Sequence, residues 1–64
     1  MYYLKLEGKP WWFRDWEYQT WDSLRFPVWD KREDAHKFYT EELAQNNKRL
    51  LEELGCRVLI VRAE

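Results

Sequence analysis

The first seven residues alternate. Tyr2, Leu4 and Leu6 fall on one side of an extended chain, with Tyr3, Lys5 and Glu7 on the other. This two-residue period predicts a half-buried strand. Gly8-Lys9-Pro10 follows with turn chemistry, glycine allowing unusual dihedrals and proline fixing φ. From Trp11 to about Leu24, aromatic residues are interleaved with polar ones. Trp12, Arg14, Trp16, Tyr18 and Thr20 share one face; Trp11, Phe13, Asp15, Glu17, Gln19 and Trp21 share the other. Aromatic and β-branched side chains suit a pleated surface, so this segment is expected to be a second strand, in a hairpin with the first. Arg25-Phe26-Pro27-Val28-Trp29 is expected to be extended, because Pro27 restricts Phe26 and cannot donate to a central ladder.

Asp30 and Glu33 have capping-box spacing, and residues 31–54 contain neither glycine nor proline. Ala35, Phe38, Tyr39, Leu43, Leu50, Leu51 and Leu54 mark an apolar stripe at helical spacing, and Gly55 supplies a stop. Asn46-Asn47 interrupt the stripe, and Thr40-Glu41-Glu42-Leu43 offers an alternative start. One long helix is the preferred reading, with a break near Thr40 as the other. Residues 56–63 form the last strand. Its Val58, Leu59, Ile60 and Val61 are apolar on both faces, which predicts an interior position.

The expected fold is therefore α+β: one domain over residues 1–64, in the order strand-strand-helix-strand. A three-stranded antiparallel sheet of order 2-1-3 would carry the helix on one face.

Sixty-four residues make a small core, since a chain of this size buries only about 60% of its unfolded surface. One cysteine, Cys56, and one histidine, His36, exclude an internal disulfide and a clustered metal site. The remaining device is bulk: five tryptophans, four tyrosines and three phenylalanines, much of which fills the core. Charge is balanced, with eleven basic and twelve acidic residues, and neither half has the basic excess of a non-specific nucleic-acid binder. No apolar run is long enough for a membrane span. The N-terminal residues lack a secretory pattern, and a lone cysteine suits a reducing compartment, so a cytoplasmic location is expected.

Catalytic chemistry is sparse. His36 is expected to be exposed on the helix, and Cys56 to serve as a small apolar residue. Asp15/Glu17, Glu41/Glu42 and Glu52/Glu53 are spaced as solvated carboxylates. Ser23 has no nucleophile-elbow context, and two isolated glycines cannot cradle a phosphate. No enzyme activity, cofactor or metal is expected.

A sheet covered by one helix keeps a second face with nothing in the chain to cover it. Strand alternation is expected to place some of Trp11, Phe13, Trp21, Tyr3 and the last strand's alternate residues there, with Arg14 and Arg25 among the aromatics; the alternative is that segment 11–24 folds over and buries them itself. Trp and Arg are favoured interface residues. Trp11, Phe13, Arg14, Trp21 and Arg25 are the candidate partner-binding residues, and a protein is the expected partner, for an adaptor or inhibitor. Base stacking on single-stranded nucleic acid and a structural homodimer through the same face are the alternatives. In size and inferred element order the chain is similar to small phage-encoded inhibitors of host enzymes, with bacterial RNA polymerase among their targets. That resemblance is architectural, is carried by no residue motif, and implies a non-catalytic inhibitor of a larger machine.

Overall fold

A computed structural model describes residues 1–18 and 24–63. Strands β1 (Tyr2–Leu6), β2 (Trp12–Tyr18) and β3 (Arg25–Asp30) come first. A single 3-10 turn (Arg32–Asp34), helix α1 (Glu41–Glu53) and strand β4 (Val58–Arg62) follow. The four strands form one antiparallel sheet in the order β3-β2-β1-β4. The expected neighbours, second strand beside first and first beside last, are both present. The sheet nevertheless has four strands rather than three, because residues 25–30 add an edge strand beyond β2. Pro27 is compatible with that place, since an edge strand leaves half its backbone groups unpaired.

The sheet is two ribbons joined at one end. β1 pairs with β4 over five residue pairs, and β2 pairs with β3 over six. Between β1 and β2 the register holds only one pair, Lys5 with Trp12. The turn that joins them is closed by the Lys9 N–H donating to the Leu6 carbonyl at 3.2 Å, with Gly8 at φ +75°, where a side chain would be strained. Past Phe13, β2 bulges and swings away toward β3. Residues 35–38 fill the opening. The His36 N–H donates to the Phe13 carbonyl at 2.9 Å, while Phe38 and Tyr2 exchange two backbone bonds of 2.8 and 2.9 Å.

That insertion is why the helix is shorter than expected. The preferred single helix over residues 31–54 does not form; the break near Thr40 does. Asp30 ends β3 instead of capping a helix, and only one 3-10 turn follows it. His36 consequently sits on extended chain, exposed, and not on a helix. Phe38 gains more by extending, since its ring stacks on Phe13 with centroids 6.0 Å apart and its backbone completes the sheet. At Thr40 the side-chain hydroxyl accepts from the Leu43 N–H at 3.2 Å and starts α1. At the other end, Gly55 takes φ +86°. Its N–H donates to Glu52 O and the Cys56 N–H to Leu51 O, at 2.9 and 3.0 Å, the paired bonds of a Schellman stop.

α1 lies on β1 and β4. Leu4, Phe13, Phe38, Ala44, Leu51 and Val58 form the buried core, with Tyr2, Leu6, Trp16, Trp29, Cys56 and Ile60 packed around it. β4 is an edge strand, against the interior position its composition predicted. No helix among the described residues is long and apolar enough to cross a membrane.

Candidate functional site

Residues paired across a ladder share a face, so the register divides the sheet into two sides. Leu4 with Ile60, Leu6 with Val58, and Phe13 with Trp29 face α1 and the core. The opposite side carries Tyr3 with Val61, Lys5 with Leu59 and Trp12, Trp12 with Asp30, Asp15 with Val28, and Glu17 with Phe26. No described element covers this second side.

Trp12 sits at its middle. The Tyr3 ring meets it edge-on, with centroids 6.1 Å apart, and the Arg32 guanidinium carbon lies 5.5 Å from its centroid. On the β4 side of Trp12 the surface is apolar, with Leu59 46% exposed and Val61 half-buried. On the β3 side it is mixed: Val28 and Phe26 alternate with Asp15, Glu17 and Asp30. Asp30 holds the Arg14 guanidinium at 3.0 Å. The bulge leaves a shallow depression of about 300 Å³ lined by Arg14, Asp15, Trp16, Glu17 and Val28. It is open and largely polar, which is unlike an enclosed small-molecule pocket. Among the described residues no group of three His, Cys, Asp or Glu side chains is placed to hold a metal ion.

The five residues expected at the contact surface are not brought together. Phe13 is 1% exposed and is the central ring of the core, with Trp16, Trp29, His36 and Phe38 all against it. It therefore contributes nothing to an open surface, which corrects its expected place. Trp11 is exposed at the end of the first turn, where its carbonyl accepts from the Leu6 N–H. Arg14 occupies the bulge, exposed, and reaches the open side through Asp30. Arg25 lies on the helix side, its guanidinium 5.0 Å above the Trp16 ring. Trp21 falls outside the described residues.

Trp12 was missed because the open side was assigned to the Trp11–Phe13 parity. The signal that finds it is register. With the turn closed between Leu6 and Trp11, Trp12 must face Lys5 and share its side with Tyr3, while Phe13 joins Leu4. Among the described residues, the side away from α1 thus carries Trp12 together with Tyr3, Leu59 and Val61. Compared with protein-family models, curated proteins and solved structures, the chain matches none.

Proposed function

We propose that the chain is a non-catalytic protein-binding module, of adaptor or inhibitor type, that contacts its partner through the open sheet side centred on Trp12. The observation that supports this reading is an aromatic-aliphatic patch on a face that no described element covers. Trp12, Tyr3, Leu59 and Val61 lie together there, rimmed by charges of both signs. A desolvated aromatic centre within a polar rim is the usual anatomy of a protein interface. Asp15, Glu17 and Asp30 on the same side disfavour the phosphates of a nucleic acid, so base stacking is the weaker reading.

The test is affinity capture from nuclease-treated lysate, using the wild-type chain, Trp12→Ala and Leu59→Ser, each checked for fold by circular dichroism. One protein retained by the wild type and lost by both folded variants supports the reading. Retention unchanged in both variants rules out this face. Binding to single-stranded oligonucleotides that weakens steeply with salt would replace the protein partner with a nucleic acid.

A further inference from the structure

The two edges of the sheet differ. β3 carries Pro27 at its middle and charged residues, Arg25 and Asp30, at its ends, with a bulge in its neighbour β2. These are the devices that keep an edge from recruiting another strand. β4 reads Val58-Leu59-Ile60-Val61-Arg62, with no proline, no lysine and no bulge in its pairing with β1. The composition is that of an interior strand, yet the strand stands at an edge. Its free side can be assigned. The Glu7 N–H donates to Arg57 O at 2.8 Å and the Ala63 N–H to Met1 O at 2.9 Å. Residues 57, 59, 61 and 63 therefore turn their backbone groups to β1. Val58, Ile60 and Arg62 turn theirs outward.

We propose that this edge is filled by β4 of a second copy of the chain, antiparallel across a two-fold axis at Ile60, to give a continuous eight-stranded sheet. In that register Val58 faces Arg62 of the second copy, Leu59 faces its Val61, and Ile60 faces Ile60. The outward groups of Val58, Ile60 and Arg62 then meet their own counterparts. Neighbouring strands lie about 4.8 Å apart and α1 sits over both β1 and β4, so the two helix axes come about 10 Å apart, a normal packing distance.

Charge identifies the occupant. The Asn47 side chain accepts from Trp16 Nε1 at 3.0 Å, which fixes the flank of α1 that faces β2. The opposite flank, toward the β4 edge, carries Glu41, Lys48 and Glu52. The last turn of α1 holds no basic residue to offset the helix dipole. Arg62 lies on the helix side of β4, opposite Tyr2, and neither it nor Glu52 has an ion-pair partner among the described residues. Across the two-fold, Arg62 of each copy stands beside Val58 of the other, below that C-terminal turn and within reach of its Glu52. A second copy supplies the missing cation twice, once at each end. The pairing leaves the Trp12 side open and doubles it, whatever that side binds.

Two readings on the purified full chain decide this. The first is molar mass by light scattering with amide hydrogen exchange, at high and low concentration. A dimer is expected, with the Val58, Ile60 and Arg62 amides protected only where the dimer forms. The second is charge exchange at two exposed positions. Arg62→Glu and Glu52→Arg should each weaken self-association by about tenfold, and mixing the two variants should restore it, because each repels itself and complements the other. A monomer at every concentration overturns the proposal. So does a dimer in which those three amides exchange freely, or β4 amides protected only when a different protein is added.

Discussion

The two ribbons of the sheet are held in different ways. The β1–β4 ribbon has α1 on one side and contributes Leu4 and Val58 to the core, both nearly without exposure. The β2–β3 ribbon has its six-pair ladder and the short 35–38 segment, and at its far end no described element packs on either side, with Tyr18 61% and Phe26 45% exposed. Burial under a helix is what confers high local stability, whereas a two-stranded ribbon alone is marginal in water. Aromatic content is thus a poor guide to where this domain is firm. β2 carries two tryptophans, a phenylalanine and a tyrosine, yet only Phe13 among them is buried.

The largest expected effect breaks the link between the ribbons. Phe13 touches rings from β2, β3 and the inserted segment, so Phe13→Ala should cost about 3–5 kcal/mol. For a domain this small that equals most or all of its stability, and urea denaturation or the loss of near-ultraviolet circular dichroism would show it. Next is the side-chain hydrogen bond between this ribbon and α1, from Trp16 Nε1 to Asn47 Oδ1. Trp16→Phe should cost about 1.5 kcal/mol. Amide exchange should rise mainly in β2 and β3; an equal rise in β1 and β4 would show that the ribbons open together. Thr40→Ala acts on the covered half and should cost about 1 kcal/mol through the lost cap, read from the urea midpoint. Smallest is Arg14→Ala. Its ion pair with Asp30 joins two exposed or half-exposed side chains, so a change within about 0.5 kcal/mol is expected, measured the same way.

The parts of this fold that were legible in the sequence are those set by local pattern. The alternation of Tyr2 to Leu6 marked β1, and Gly55 marked the end of α1 because few other residues accept its dihedral. The start of the helix was ambiguous because two competing cap signals, Asp30-x-x-Glu33 and Thr40, lie ten residues apart. What decides between them is distant: Phe38 bonding to Tyr2 and stacking on Phe13. β3 was read only as extended chain, since a proline weakens the strand signal even where an edge tolerates it. The candidate site depended on register. A shift of one residue exchanges Trp12 and Phe13 between surface and core, and composition says nothing about which way that falls.

The segment wedged between β1 and β2 also sets an order of events in time. Tyr2 and Phe38 meet from far apart in the chain, whereas the β2–β3 hairpin and α1 are local and form on microsecond scales. The wedge can close only on strands already in place, so its contacts belong to the native side of the folding barrier. We expect Phe38→Leu to speed unfolding while leaving the refolding rate nearly unchanged, as stopped-flow kinetics in urea would read. A matching loss in the refolding rate would mean instead that the insertion is itself the nucleus. In either case the moment at which the two ribbons become a single sheet is governed by four residues that belong to neither.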